Sequence, residues 1–185
     1  PVWGICGGYQ MLGEVLCDPD QVEDGGTMQG MGLLPSETVF TGQKTRTRVN
    51  GTFAHVEGIF SELSNVAFEG YEIHMGKTSY LNDTHGSKEH MSRIQDTVSG
   101  KISEDGISDG NVYGTYIHGI FDMEGVTDVI VKALAKKKGI TLEKASGIDL
   151  KSFKEEQYDK LADGIHSHLD MERIYEIMKE NVEEK

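Results

Sequence analysis

Short apolar runs alternate with polar stretches along the first part of the chain, and their spacing predicts a strand followed by a helix. Val2 to Ile5 form an apolar run of strand length. Helical spacing of apolar residues follows at once, at Tyr9, Met11, Leu12, Val15 and Leu16. The pattern therefore predicts that Cys6 lies at a strand-to-helix turn.

The middle of the chain alternates between glycine-rich polar stretches and β-forming segments. Residues 18–32, "DPDQVEDGGTMQGMG", are too polar and too rich in glycine to predict a regular element. Extended segments are predicted at Glu37 to Phe40, Arg46 to Val49 and Phe68 to His74. Residues 82–108 are polar and predict surface loops with one or two short strands.

The second half of the chain predicts one more strand and then helices. Val112 to Ile117 is rich in strand formers and ends at His118. Apolar residues from Val126 to Leu134 recur at helical spacing. Two later helices are predicted, one opened by a capping box of Ser152 with Glu155 and one capped by Asp170.

This order of elements predicts an α/β fold with a mixed sheet and a helical C-terminal tail. We expect residues 1–150 to form the main domain and residues 151–185 to be its helical extension. Because the chain opens directly in a predicted strand, we also expect an N-terminal part of the domain to be missing from it.

Composition and charge exclude several classes of protein. The formal net charge of -13 over 185 residues argues against nucleic-acid binding, which draws on clustered Lys and Arg. The apolar runs are far shorter than the ~18 residues that a membrane span needs. Two cysteines are too few for a secreted disulfide scaffold of this size, so a cytoplasmic location is the default expectation.

The stretch "GICGG" at residues 4–8 is the first candidate for chemistry. It fits the Gly-x-Cys-x-Gly pattern of a nucleophile elbow, in which a sharp turn exposes the nucleophile and glycines let the strand and the helix approach. A helix N-terminus there would also stabilise negative charge on the sulfur of Cys6. The alternative is a small buried cysteine in a glycine-rich turn.

A cysteine nucleophile requires a base, and seven histidines are available. His118 is favoured because it ends a predicted strand, where α/β sheets present functional side chains. His74, also at a strand end, is the competitor. The other histidines lie in polar loops or in the helical tail and are predicted to be solvated; they are His55, His85, His90, His166 and His168.

Two other kinds of site are disfavoured by spacing. "GYEIHMGKT" at residues 70–78 ends like a phosphate-binding loop, but five residues separate Gly70 from Gly76 where that motif has four. A zinc site would need cysteines at closer spacing than Cys6 and Cys17. We therefore expect no metal site.

Several longer segments together resemble one family nearly from end to end. They are "GICGGYQMLG" at 4–13, "GMGLLPSETVF" at 30–40 with Lys44-Thr45 after it, "GYEIHMGKT" at 70–78, "GTYIHGIFD" at 114–122, and "EEQYDKLAD" with "LDMERIYEI" in the tail. These segments resemble the glutamine amidotransferase domains of the cobyric acid synthase family, which are of the class I type.

The resemblance implies a flavodoxin-like domain that hydrolyses glutamine. In the family's pattern Cys6 is the nucleophile that forms a γ-glutamyl thioester, and His118 protonates the departing ammonia and then activates water. The backbone amide of Gly7 would be half of the oxyanion hole. Gln10, Gly8 and His74 would contact the substrate.

The resemblance also implies partners and leaves one role open. An upstream domain using ATP and Mg would activate the carboxylates of a corrinoid acceptor, which ammonia then converts to amides. Most class I enzymes follow the histidine with Pro-Glu, whose carboxylate orients the imidazole, whereas this chain has His118-Gly119-Ile120. Glu72 and Asp122 are the candidates for that role.

Two alternatives stay open at this point. The chain could be a sibling with the same chemistry and another acceptor, such as cobyrinate a,c-diamide synthase or the amidotransferase of a cell-wall lipid precursor. It could also be a non-catalytic interaction module with the same fold. The joint presence of Cys6, Gln10 and His118 disfavours the module.

Overall fold

The computed structural model describes residues 1–81, 88–142 and 150–183. Within them the strands are β1 (Val2–Ile5), β2 (Val15–Asp18), β3 (Gly26–Gln29), β4 (Ser36–Phe53), β5 (Ala67–Tyr80), β6 (Ser92–Asp96), β7 (Ile102–Asp105), β8 (Ile107–Asp109) and β9 (Val112–Thr115). The α-helices are α1 (Gly7–Leu12), α2 (Glu124–Lys138), α3 (Leu150–His168) and α4 (Met171–Glu183), and 3-10 turns span Gly58–Leu63 and Ile120–Asp122.

A small sheet in the order β1-β9-β8 carries the first candidate residues. β1 runs parallel to β9, with Ile5 opposite Thr115, and β8 is antiparallel to β9. Because the carboxyl ends of parallel strands meet at the same edge of a sheet, the residues that follow β1 and β9 emerge side by side. The predicted strands at Val2 to Ile5 and at Val112 to Ile117 are confirmed, although β9 ends at Thr115.

A second sheet is built around the long antiparallel pair of β4 and β5. β4 has 18 residues and β5 has 14, and β4 also pairs with β2 and with β6. The three extended segments predicted from the sequence are confirmed as parts of these two strands. β6 and β7 follow as an antiparallel pair, in agreement with the short strands predicted for residues 82–108, of which residues 82–87 lie outside the described part.

The largest core cluster lies between this second sheet and α2. Its members include Phe53, Phe68 and Ile117, which are almost completely buried. Trp3 of β1 packs against this cluster and stacks on Tyr113 of β9 at a ring-centroid distance of 4.9 Å. Each such side chain contributes about 1.5 to 3 kcal/mol by leaving water, so this cluster fixes β9 and the residues after it.

Two predictions about the region after Cys6 are wrong. The helix ends at Leu12, and Val15 and Leu16 belong to β2, because the backbone finds strand partners in β4 as soon as it passes Gly13. The glycine-rich stretch at 18–32 contains β3, whose residues are all exposed. β3 forms because β2 offers it an antiparallel edge, a partner that the local sequence does not reveal.

The three helices predicted for the second half of the chain are present as α2, α3 and α4. α2 ends at Gly139, which adopts the left-handed conformation with φ 67°. Asp170 caps α4, since its Oδ1 accepts a hydrogen bond from the Arg173 N–H at 3.0 Å. The helix predicted to open at Ser152 is present as α3, but Ser152 lies within the described helix Leu150–His168 and not at its N-cap.

The chain divides into two compact units, Pro1–Gly147 and Ile148–Lys185. The first holds both sheets, α1 and α2, and the second consists of α3 and α4. The mixed α/β class and the helical C-terminal tail predicted from the sequence are confirmed. In the described residues, no helix has the length and apolar character needed to cross a membrane.

Candidate active site

Cys6 occupies the sharp turn between β1 and α1, as the sequence predicts. Its backbone has φ 54° and ψ -115°, a conformation that residues with a Cβ rarely adopt and that costs about 1 to 3 kcal/mol. The Cys6 N–H donates to the Thr115 carbonyl at 2.9 Å, and the Cys6 carbonyl accepts from the Gln10 N–H at 3.1 Å. The turn is therefore fixed on one side by β9 and on the other by the first turn of α1.

The glycines around Cys6 have different surroundings. A Cβ on Gly4 would lie 2.6 Å from Leu12 Cδ1 and 2.7 Å from the Gly8 backbone, so the strand and the helix can approach only because Gly4 has no side chain. A Cβ on Gly7 or on Gly8 would meet nothing within 4 Å. The surface over the start of α1 is thus open beside the cysteine.

The thiol of Cys6 faces β5. Its Sγ lies 3.6 Å from the carbonyl oxygen of Ile73, to which it donates a weak hydrogen bond. Cys6 is half-buried, and Ile73 is 38% exposed. The nucleophile candidate therefore sits at an accessible edge, against the middle of β5.

His118 contacts the same strand at Tyr71, two residues before Ile73. Its N–H donates to the Tyr71 carbonyl at 2.8 Å, and its carbonyl accepts from the Tyr71 N–H at 3.1 Å. The imidazole stacks on the Tyr71 ring at a centroid distance of 4.9 Å and an interplanar angle of 9°. The Nε2 atom is buried and has no hydrogen-bond partner among the described residues.

The structure thus brings Cys6 and His118 to one place by two independent routes. Both follow the carboxyl ends of the adjacent parallel strands β1 and β9. Both also contact β5, at Ile73 and at Tyr71, which point to the same face of that strand because they are two residues apart.

His74 has a different environment, on the opposite face of β5. Its Nε2 lies 3.2 Å from Glu72 Oε1 and its Nδ1 lies 2.7 Å from the Gly76 carbonyl oxygen. Its ring also stacks on Tyr116 at 3.7 Å, and the side chains of His74 and Glu72 are only 11% and 12% exposed. Both ring nitrogens of His74 are therefore occupied, which favours His118 as the base.

The two candidates for orienting His118 are placed differently. Glu72 contacts His74, and within the described residues no hydrogen bond joins Glu72 to His118. Asp122 is exposed in the turn that follows His118, and its N–H donates to the Gly119 carbonyl at 2.8 Å. The orienting role of either carboxylate stays a prediction.

Gln10 lies at the inner end of a row of hydroxyl groups. It is 8% exposed, and its Nε2 donates to Tyr116 Oη at 3.2 Å. The Tyr116 hydroxyl lies 2.6 Å from the Thr78 hydroxyl, which in turn lies 2.7 Å from that of Thr38. The side chain of Gln10 is thus held in one orientation before any substrate arrives.

Asp105, which sequence reasoning missed, holds the segment that bonds the Cys6 turn and leads to His118. It is fully buried, and its carboxylate accepts hydrogen bonds from Thr115 Oγ1 at 2.5 Å and from the Tyr116 N–H at 3.0 Å. Thr115 in turn accepts the Cys6 N–H with its carbonyl and the Ile117 N–H with its Oγ1. Burial raises the pKa of the Asp105 carboxyl to about 6.

A cavity of about 650 Å³ opens on the face of β5 that carries Tyr71 and Ile73. Arg46 and Arg48 of β4 line it as well, and they stand directly opposite Ile73 and Tyr71 in the β4-β5 register. Neither arginine has a carboxylate within ion-pair distance among the described residues. The cavity therefore carries two guanidinium groups on the face of Tyr71 and Ile73, and Asp96 also lines it.

The remaining histidines agree only in part with the prediction that they are solvated. His166 and His168 are exposed on α3, and His55 is half exposed between two carboxylates. His90 is an exception, because its ring packs against Tyr80 and its Nδ1 lies 3.2 Å from the Gly106 carbonyl oxygen. His85 lies outside the described residues.

The structure also describes the residues of the two disfavoured kinds of site, the phosphate-binding loop and the zinc site. The whole "GYEIHMGKT" stretch lies within β5, so Gly76 and Lys77 form no phosphate-binding loop. Cys6 and Cys17 are both free thiols. In the described part of the chain, no group of three or more His, Cys, Asp or Glu side chains could hold a metal ion.

Comparison with known proteins gives one consistent result. A profile of the CobB/CobQ-like glutamine amidotransferase domain matches residues 1–126. The chain is 52% identical over 183 residues to a cobyric acid synthase of Ruminiclostridium cellulolyticum, covering 99% of the chain and 35% of that relative. It is 46% identical over 188 residues to a cobyric acid synthase of Lachnoclostridium phytofermentans, covering 98% of the chain and 36% of that relative. It is 41% identical over 187 residues to a cobyric acid synthase of Citrobacter koseri, covering 99% of the chain and 35% of that relative. The chain thus spans about a third of the length of these relatives.

Proposed function

The chain belongs to the CobB/CobQ-like glutamine amidotransferase domain family, and from this premise we propose that it is the glutamine-hydrolysing part of a cobyric acid synthase. Membership agrees with the flavodoxin-like class expected from the sequence. The observation that carries the proposal is the strained turn of Cys6, held at φ 54° with its thiol against the same strand that contacts His118.

The geometry supports a two-step mechanism. The Sγ of Cys6 attacks the side-chain amide carbon of glutamine, and the N–H of Gly7 donates to the oxygen that becomes negative. His118 accepts the thiol proton and gives it to the departing nitrogen, so that ammonia leaves and a γ-glutamyl thioester remains on Cys6. Water then attacks the thioester while His118 takes its proton, and glutamate and the free thiol are released.

Two features of the structure support these roles. The Nε2 of His118 has no hydrogen-bond partner among the described residues, so no other group competes for the proton that it would accept. The open surface over Gly7 and Gly8 leaves room for the substrate at the start of α1. Gln10, Gly8 and His74 remain the proposed substrate contacts, with Gln10 already fixed by Tyr116.

The charges in the neighbouring cavity suit an amino-acid substrate. A guanidinium group binds a carboxylate through charge-assisted hydrogen bonds. Arg46 and Arg48 share the face of Ile73 and Tyr71, so we propose that they receive the α-carboxylate of glutamine.

The further partners are part of the same proposal. We propose that an ATP-dependent and Mg-dependent synthetase domain upstream receives the ammonia and amidates the side-chain carboxylates of a corrinoid. Residues 1–150 would form the glutaminase domain and residues 151–185 its helical extension. A cytoplasmic location is proposed because Cys6 and Cys17 are free thiols, as in a reducing compartment.

Labelling with a glutamine-mimicking diazo-ketone tests the proposal. We expect one adduct per chain, located on Cys6 by mass spectrometry, and we expect Cys6→Ser to abolish both the adduct and glutaminase activity. Cys17→Ser is the matched control, because it removes the other free thiol, which lies in β2, and should change neither. An adduct on Cys17, or glutaminase activity that survives Cys6→Ser, would contradict the proposed role of Cys6. An unaltered chain with neither adduct nor glutaminase activity would favour the non-catalytic module.

A further inference from the structure

The base candidate lacks the side-chain partner that usually orients a catalytic histidine. The residue after His118 is Gly119, which adopts φ 80° and turns the chain into the 3-10 turn Ile120–Asp122. Within the described residues, no hydrogen bond reaches either ring nitrogen of His118. Because the second side-chain torsion of histidine is broad, an imidazole without such a partner would sample many orientations.

One residue holds both the backbone and the ring of His118. Tyr71 exchanges two backbone hydrogen bonds with it, at 2.8 Å and 3.1 Å, and stacks on its ring nearly in parallel at 4.9 Å. The approach of the two segments is so close that a Cβ on Gly70 would lie 2.4 Å from the His118 carbonyl oxygen. The ring plane of His118 is therefore set by β5.

We propose that the face of the Tyr71 ring is the positioning group for His118, in place of a carboxylate; this inference rests on the proposed function. Stacking fixes the plane of the imidazole without engaging either nitrogen, so both nitrogens stay available for proton transfer. A carboxylate partner would occupy one of them.

The aromatic face, and not the hydroxyl group, carries this role. The Tyr71 hydroxyl makes no hydrogen bond within the described residues, and Tyr71 is 48% exposed, so burial does not account for its placement. Phenylalanine at position 71 should therefore keep the His118 ring in place, whereas leucine, which has no ring face, should not. Aromatic stacking of this kind corresponds to a change of about 2- to 12-fold in an equilibrium or a rate.

The test compares Tyr71→Phe and Tyr71→Leu in the full chain, with Tyr80→Leu as the control. Tyr80 lies on the same strand and contacts another histidine, His90, edge-on at 5.5 Å. Two quantities are measured: the rate of Cys6 labelling by the diazo-ketone, separated into reagent binding and maximal rate, and the NMR resonance of the His118 Hε1 proton, assigned with His118→Gln.

We expect Tyr71→Leu to lower the maximal labelling rate by about 2- to 12-fold with little change in reagent binding, and to move the Hε1 resonance downfield as the ring current is lost. Tyr71→Phe should keep both the rate and the shift, and Tyr80→Leu should keep the rate. Equal rates for Tyr71→Leu and the unaltered chain, or an equal loss in Tyr71→Phe, would overturn the inference. An unaltered chain that does not label would instead overturn the proposed function, while the resonance still shows whether the rings are stacked.

Discussion

At the scale of single residues, the Cys6 turn depends on one glycine more than on its neighbours. Gly4 is enclosed by Leu12 and by the backbone of Gly8, whereas Gly8 itself faces open space. The sequence shows only that glycines surround Cys6. The structure separates the glycine needed for packing from those that leave the approach to the thiol open.

This difference predicts opposite effects of the same substitution. Gly4→Ala should lower the free energy of unfolding by about 2 kcal/mol or more, because the new Cβ would overlap backbone that cannot move without breaking the turn. Gly8→Ala should leave the stability unchanged or raise it by up to about 1 kcal/mol, because alanine is favoured within a helix. Chemical denaturation of both variants measures the two effects.

Glutamine kinetics complete that comparison. The new side chain at Gly8 would enter the space proposed for the substrate, so Gly8→Ala should raise KM while the protein stays folded. A destabilised Gly8→Ala, or a Gly4→Ala as stable as the unaltered chain, would show that the roles of the two glycines are assigned wrongly.

The residues that support the candidate site are harder to predict than those proposed to perform the chemistry. Cys6, Gln10 and His118 are recognisable because each belongs to a local motif. Asp105 and Tyr71 act through partners 10 and 47 residues away, Thr115 and His118. Only the pairing of strands brings these partners together, so no local pattern indicates them.

At the scale of elements, the strands were predictable where their sequence favours β-structure by itself. The segments within β4 and β5 are rich in β-branched and aromatic residues and were identified, although their full length was not. β3 was missed because it is exposed and is held only by its pairing with β2. The first helix was predicted too long because an apolar run such as Val15-Leu16 fits a strand and a helix equally well.

The pairing of β4 with β5 makes a prediction about substrate binding. Replacing both Arg46 and Arg48 by methionine should raise KM for glutamine roughly tenfold, with a smaller change in kcat, because a charge-assisted hydrogen bond to the α-carboxylate is lost. Methionine keeps much of the side-chain length and removes the charge together with the N–H donors. Steady-state glutaminase assays measure both constants.

The control for this prediction is Arg93→Met. Arg93 lies on β6 and lines a different cavity, so its loss changes the net charge without touching the proposed site. The double variant should also lose its preference for glutamine over an analogue in which the α-carboxylate is an amide. A preference that stays intact would place the α-carboxylate elsewhere.

At the scale of the whole molecule, hydrogen bonds connect the Cys6 turn to the interior of the first unit. Asp105 is the last residue of β7 and accepts hydrogen bonds from Thr115 of β9 and from the Tyr116 N–H, and the Thr115 carbonyl in turn accepts the Cys6 N–H. A buried carboxyl connected to the candidate catalytic turn links the stability of the unit to pH. The link follows from the direction in which burial shifts its pKa.

Asp105→Asn should therefore remove one component of the pH dependence of unfolding. The carboxyl has a pKa of 3.8 in the unfolded chain and about 6 in the folded one, so its protonated form stabilises the fold below pH 4, and this contribution is lost as the pH rises through 6. The loss amounts to about 3 kcal/mol between the two pKa values. Asparagine, which resembles the protonated acid, should show no such decline.

Fluorescence of Trp3, the single tryptophan, follows unfolding of this unit in denaturant at several pH values from 4 to 7. Glu72, His74 and Tyr9 face Asp105 and are present in both proteins. Asp96 titrates outside this range, because hydrogen bonds lower its pKa to about 2.

Asp109→Asn, at an exposed position of β8, is the control and should keep the decline of the unaltered chain. If the decline persists in Asp105→Asn, another group links the stability of the site to pH, and Asp105 is ionised in the fold.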